Sequence, residues 1–199
     1  AVLYRQANLR DALDNPKTVR RLYEMTIETE RKGKEAWSRL SAPVLLSVFS
    51  GAVELLKIYT GMLMELRSVA DANLPNFRSE GFRNLFTMLQ RELDDDYFAQ
   101  VRAHLNDFKD GSGMLVSATL GSCLQGTHYV LRRKRFKDSW LHWQFSHSYI
   151  IGGRDDAGGI DLKYRRERAI NESANALAQA AEHLQGFFAM LRNELAFYV

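Results

Sequence analysis

Cysteine is almost absent from this sequence. Cys123 is the single cysteine among 199 residues, so the chain cannot form an internal disulfide bond, and we expect a reducing compartment, the cytoplasm. A structural zinc site needs several cysteine or histidine ligands at characteristic spacings. No CxxC motif is present, and His142 and His147 are five residues apart, not the three or four that align two side chains on one helix face. The sequence therefore predicts no metal site.

The glycine-rich motifs that hold nucleotides or activate a serine are also missing. The sequence contains no GxxxxGKS or GxxxxGKT loop. It also contains no GxGxxG or GxSxG motif. Ser117, Ser122, Cys123 and His128 lie in one stretch, but nothing in the sequence places a nucleophile beside its base. We therefore predict that this chain has no catalytic residues, no cofactor and no small-molecule substrate.

An excess of positive charge is confined to one part of the chain. The net charge is only +3, and residues 1–110 carry 16 basic and 16 acidic residues. Residues 111–170 carry 10 basic and 5 acidic residues. The densest basic cluster consists of Arg132, Arg133, Lys134, Arg135 and Lys137. Because such a cluster attracts acidic partners, we predict that these five side chains contact phosphate groups; a solvated loop surface is the alternative.

The clearest β signal lies just before this cluster. The runs Met114–Leu120 and Thr127–Leu131 alternate in polarity and flank a glycine-bounded turn, which predicts a β-hairpin. Eight of the 13 glycines lie between residues 111 and 159. Within the aromatic-rich run 136–151, residues 141, 143, 145 and 147 alternate with polar residues like a further strand. Trp140 and Trp143 in that run are candidates for stacking on exposed bases or for the hairpin core. The sequence thus predicts a small antiparallel β insertion at about 112–151.

Helical patterns lie on both sides of the β region. Pro16 after Asn15 is a helix-start signal, Ser79 is a candidate cap, and the acids from Asp94 onward suit a new helix N-terminus. The predicted helices cover 16–40, 43–66, 79–93, 94–108 and 161–199, and residues 2–13 form a weak helix or an extended lead-in. Within 43–66, Glu54 and Lys57 favour a buried core helix over a membrane span.

The predicted fold class is mainly α: a long-helix bundle with a small β-hairpin insertion. We divide the chain into a first helical part over 1–110, a β-rich insertion over 111–160, and a long return helix over 161–199. The chain begins at Ala1 without an initiator methionine and ends in the apolar residues 196–199 without a helix-stop signal. We therefore expect a piece of a longer protein.

Three stretches resemble the MutS family of DNA mismatch-repair ATPases. Residues 9–22 (LRDALDNPKTVRRL) resemble the opening of that family's helical core, and residues 177–199 (LAQAAEHLQGFFAMLRNELAFYV) resemble the long helix that returns to its ATPase domain. Residues 114–120 together with 127–133 resemble strands of the divergent MutS-related members. The family's mismatch-reading Phe-x-Glu motif is absent from this chain.

The resemblance implies a non-catalytic lever and clamp whose long helices connect a DNA-contacting tip to an ATPase domain after residue 199. It implies double-stranded DNA as partner, a role in DNA mismatch repair, and ATP, magnesium and homodimerisation in the full-length protein. Two alternatives remain open. One is a helical scaffold or interaction module whose basic tip binds an acidic protein or an anionic membrane surface. The other is an unrelated enzyme domain.

Overall fold

The computed structural model describes residues 2–38, 45–108, 114–123, 125–132 and 150–199. Within these residues the chain forms long helices and one two-stranded antiparallel sheet, so the predicted mainly α fold with a small β-hairpin is confirmed. The helices are α1 (Val2–Asp14), α2 (Pro16–Ser38), α3 (Leu45–Asn73), α4 (Glu80–Glu92), α5 (Asp95–Asp107) and α6 (Asp156–Leu195). A short 3-10 turn, Leu74–Asn76, links α3 to α4, and the strands are β1 (Leu115–Leu120) and β2 (Gly126–Arg132).

Helix α3 lies at the centre of the bundle, and α2, α4, α5 and α6 pack against it. Leu66 is fully buried, as are Leu22 of α2, Phe86 of α4 and Ile170 of α6. Burying a side chain of this size contributes roughly 1.5–3 kcal/mol. By length and composition α3 is also long and apolar enough to cross a membrane, with a mean hydropathy of 1.3, but half of that window is buried by other parts of the chain.

The three long helices run side by side over most of the bundle. Helix α2 is antiparallel to α3, because Thr18 contacts Asn73 near one end and Gly33 contacts Tyr59 farther along. Helix α6 is parallel to α3, with the rings of Tyr59 and Phe188 6.1 Å apart. At 1.5 Å per residue, the 29 residues of α3 and the 40 of α6 are about 44 and about 60 Å long.

The bundle therefore has two different ends. At one end, Leu45 at the start of α3 and Tyr164 of α6 line the same surface groove. Helix α5 returns to this end, where the rings of Phe49 and Phe108 meet edge to face at 5.2 Å. The hairpin follows, so we name this the hairpin end. The opposite end holds the α1–α2 junction at Asn15, and we name it the capping end.

At the capping end, α1 covers the N-terminus of α4. Residues 2–13, for which the sequence was compatible with either helix or extended chain, are helical. Ser79 occupies the N-cap position of α4, but its side chain makes no capping bond to the described residues. Instead the Asp11 carboxylate accepts hydrogen bonds from the backbone N–H groups of Arg78 and Ser79, and the Asn8 side chain accepts one from Gly81. The capping residue is therefore supplied by another helix.

The hairpin is short and irregular. Its register pairs Leu115 with Arg132 and Leu120 with Gly126, and shifts between Ser117 and Thr119. His128 has a positive φ of 51°, as expected for the residue of a β-bulge that sits in the left-handed region. The predicted further strand around residues 141–147 lies outside the described residues.

Helix α6 begins five residues earlier than the sequence indicated. We predicted a start at Asp161 because Gly158 and Gly159 are loop signals, but α6 starts at Asp156. The Asp155 carboxylate accepts a hydrogen bond from the Gly158 N–H at 2.8 Å and thereby caps the first turn. The predicted boundary at residue 160 therefore falls inside a continuous helix, while the division of the chain into three parts stays a prediction.

Candidate functional site

Arg132 is the one predicted phosphate-contacting residue within the described part of the chain. It ends β2, is exposed, and donates a hydrogen bond from Nε to Ser117 Oγ at 2.8 Å. This bond holds the side chain across the hairpin. Arg133, Lys134, Arg135 and Lys137 lie outside the described residues, as do Trp140 and Trp143. Their contact with phosphate stays a prediction.

The first turns of α6 add further basic side chains at the hairpin end. Strand β2 packs against α6. No residue from 156 to 168 is buried. This arm carries four exposed cations, which are Lys163, Arg165, Arg166 and Arg168. The hairpin and the arm together form a surface on which Arg132 and the α6 cations are all open to solvent; we name it the basic arm surface.

Neighbouring groups on the same helix hold three of these cations in place. Arg165 donates from Nε to Asp161 at 2.6 Å, and this hydrogen bond and charge, with a smaller contribution from Tyr129 of β2, raise the pKa of Arg165. Lys163 lies 3.9 Å from Glu167. Arg168 donates to the Tyr164 hydroxyl at 2.8 Å and also lies over its ring. Exposed pairs of this kind contribute little to stability.

Sequence reasoning missed the α6 cations as individual site residues. They contributed to the positive excess of residues 111–170, but the hairpin exit was denser in charge and dominated the prediction. The signal was present in residues 163–168, whose sequence KYRRER holds four cations in six residues. The structure adds that no residue of this stretch is buried, so burial in the core does not account for its composition.

A second concave feature lies between α2, α3 and α6, at mid-bundle. The cavity holds about 160 Å³ and is lined by Thr26, Thr29, Glu30, Tyr59, Gln185, Phe188, Ala189, Arg192 and Asn193. Its threonine hydroxyls donate to carbonyls of their own helix, and Glu30 is paired with both Lys34 and Arg192. Burial raises the pKa of the Tyr59 hydroxyl, which keeps it protonated. These groups offer no nucleophile paired with a free base.

Acidic and metal-binding side chains do not converge elsewhere in the described ranges. Across residues 2–38, 45–108, 114–123, 125–132 and 150–199, no group of three or more His, Cys, Asp or Glu could hold a metal ion. Asp94, Asp95 and Asp96 lie at the start of α5, where the Asp94 side chain accepts from the Tyr97 N–H at 2.7 Å. Their role as a helix N-terminus is confirmed.

Comparison with known families identifies the chain. The family model described as the MutS2 N-terminal domain matches residues 1–199, which is its whole length. The chain belongs to the MutS2 N-terminal domain family. The predicted resemblance to MutS-related proteins is thereby confirmed. No curated protein matches the chain, and no solved structure matches it.

Membership in the MutS2 N-terminal domain family fits a fragment without catalytic residues of its own. The described residues of this MutS2 N-terminal domain contain no glycine-rich phosphate-cradling loop, so they do not fit the binding of ATP and magnesium that the resemblance implies for the full-length protein. The exposed cations of the basic arm surface make it the feature of this domain best suited to bind an anionic partner.

Proposed function

We propose that this domain is a lever and clamp of a MutS-related DNA-repair ATPase, in which the long helices hold the basic arm surface against the phosphates of duplex DNA. The observation that carries the proposal is the exposed cation arm at the start of α6 beside Arg132 of β2. Cations that bury nothing and occupy the far end of a 40-residue helix are placed to meet a large external anion.

The length of the bundle supports a lever role. Helix α6 runs without interruption from the hairpin end to the capping end, so a displacement of one end is transmitted to the other by a single rigid element. Residue 199 lies at the capping end, where Tyr198 packs against Phe82 of α4. We propose that an ATP- and magnesium-binding domain follows residue 199 in the full-length cytoplasmic protein and carries the homodimer contact. A full-length sequence without GxxxxGKS or GxxxxGKT after residue 199 would refute this part.

Salt-dependent binding of a short labelled DNA duplex tests the phosphate contact. Removing one phosphate contact lowers the salt slope of the binding constant by about 0.9. We expect Arg165→Ala with Arg166→Ala, and separately Arg132→Ala with Arg133→Ala and Arg135→Ala, to weaken binding and flatten this slope.

The matched control for these variants is Lys17→Ala with Arg20→Ala. It removes two exposed cations at the capping end and should leave both affinity and slope unchanged. If the hairpin-end variants bind with unaltered affinity and slope, the basic arm surface does not contact DNA phosphates.

An anionic membrane surface is the second candidate partner, and a specific observation favours it. Ile160, Leu162 and Tyr164 of the α6 arm are exposed, with 69% of Ile160 accessible, and they are interleaved with the cations. A basic helix with exposed apolar side chains fits a lipid interface. Ile160→Ser with Leu162→Ser should abolish binding to phosphatidylserine vesicles while leaving duplex binding intact. If the parent protein binds vesicles but not duplex DNA, and the double variant loses vesicle binding, the partner of the arm is a membrane.

A further inference from the structure

Helix α1 buries polar side chains and exposes leucines, which is the reverse of an ordinary surface helix. Over residues 3–14 the buried residues are the polar Asn8 and Asp11, each about 5% exposed, and the small Ala12. Its leucines point outward, with Leu3 80% and Leu13 71% exposed. A helix normally docks by burying an apolar stripe. Docking of α1 therefore depends on hydrogen bonds far more than on apolar burial.

Those hydrogen bonds all reach the N-terminus of α4. Asp11 Oδ2 accepts from the N–H groups of Arg78 at 2.8 Å and Ser79 at 2.5 Å, and Asn8 Oδ1 accepts from Gly81 N–H at 3.2 Å. The approach is close, because a Cβ atom at Gly81 would lie 2.5 Å from the Asn8 side-chain nitrogen. When α1 leaves, water replaces these hydrogen bonds on both sides.

A joint of one residue separates α1 from α2. Asn15 is the one residue between the two helices, and Pro16 opens α2 without a backbone N–H. The backbone hydrogen bonds of α2 therefore do not depend on α1. The first of them runs from the Val19 N–H to the carbonyl of Asn15, which lies outside α1.

We propose that α1 is a latch, which leaves and rejoins the N-terminus of α4 as one unit while the bundle of α2, α3 and α6 stays folded. Release uncaps the first turn of α4 and frees the amides of residues 78, 79 and 81 together. The latch is a conformational device at the capping end, remote from the basic arm surface, and it is independent of whether that surface binds DNA.

Hydrogen–deuterium exchange of the 199-residue chain tests the latch. After correction for intrinsic exchange rates, the amides of α1 and those of residues 78, 79 and 81 should share one opening free energy. Their protection should be on the order of a hundredfold lower than that of the α3 amides between Leu55 and Leu66. Asp11→Ala should speed both sets together by on the order of tenfold or more, because the substitution removes two hydrogen bonds to a charged group. The exposed Asp14→Ala on the same helix is the control and should change neither.

A second variant covers the case in which Asp11→Ala does not fold. Gly81→Ala fills the space that Asn8 occupies and should speed exchange of the α1 amides in the same way. Exchange of α1 at the slow rate of α3 would overturn the proposal. So would acceleration of α1 without the amides of residues 78, 79 and 81 in the Asp11→Ala protein.

Discussion

Replacing Gly33 by alanine tests how closely α2 packs on α3. A Cβ atom at this position would lie 2.8 Å from the Tyr59 hydroxyl oxygen, whereas the nearest ring atoms of Tyr59 are 3.5 Å away. The ring contacts are ordinary van der Waals distances, so the hydroxyl oxygen is the obstacle. Tyr59 is buried and its ring packs near that of Phe188, which limits how far the hydroxyl can move away from position 33.

Two opposing effects set the size of the change. Alanine in place of glycine within a helix stabilises it by about 1 kcal/mol. Overpacking a buried contact costs about 1–3 kcal/mol. Gly33→Ala should therefore lower the free energy of unfolding by roughly 0–2 kcal/mol. In a Tyr59→Phe background the obstacle is gone, so the same substitution should raise the free energy of unfolding by about 1 kcal/mol.

Urea unfolding followed by circular dichroism measures all four proteins of this double-mutant cycle. We expect a coupling energy of about 1–3 kcal/mol between positions 33 and 59. Gly61→Ala and Gly186→Ala are the controls, because beyond the neighbouring residues and backbone of the same helix no atom lies within 4 Å of a Cβ at either position. Each should stabilise the protein by up to about 1 kcal/mol. An equal effect of Gly33→Ala in both backgrounds would refute the packing described here.

The remaining predictions concern charged groups that join helices. Arg67→Ala should lower the free energy of unfolding by about 1–3 kcal/mol, because Arg67 Nη1 donates to both the Leu93 carbonyl and the Asp95 carboxylate at 2.8 Å; the exposed Arg91→Ala should change it little in the same urea titration. Burial alone would raise the pKa of Asp11, but hydrogen bonds from Ser79 and Arg78 hold it below the usual value of 3.8. A depressed pKa contributes stability that is complete above the unfolded value and is lost as pH falls through the folded value. Asp11→Asn should therefore flatten the fall in unfolding free energy below about pH 5, and an unchanged acid limb would contradict the assignment.

Local patterns in the sequence were enough to predict most of the helices and the hairpin. The i, i+4 and i+7 spacing of Phe82, Phe86 and Leu89 predicted α4, and all three are buried. The glycine-bounded turn predicted the hairpin because the signal lies within a few residues of the structure it specifies. The early start of α6 was missed because Gly158 is a loop signal by type, and only the Asp155 cap shows that the first turn tolerates it.

Pairings between distant residues leave no such pattern. Asp11 and Ser79 are 68 positions apart, and nothing near Asp11 distinguishes a cap for another helix from an exposed acid. The candidate site likewise contains residues that the sequence indicated and residues that only the structure revealed. Charge density indicated Arg132, whereas the exposure of Arg166 became visible only when α6 was seen to bury nothing over its first turns.

Helix α4 shows how capping by other helices can fix an element that has little length of its own. It has 13 residues, about the length at which isolated helices are marginal in water. The Asp11 carboxylate of α1 lies at its positive N-terminus, and the Arg67 guanidinium of α3 binds the Leu93 carbonyl at its negative C-terminus. The two capping side chains belong to helices that are held differently. Arg67 lies on the central helix α3, whereas Asp11 lies on α1, which docks mainly through polar side chains. The N-terminal cap is therefore the one that can be released. Helix α4 is the element through which a change in α1 would reach Phe82 and, by its ring contact, Tyr198, which lies three residues beyond the end of α6.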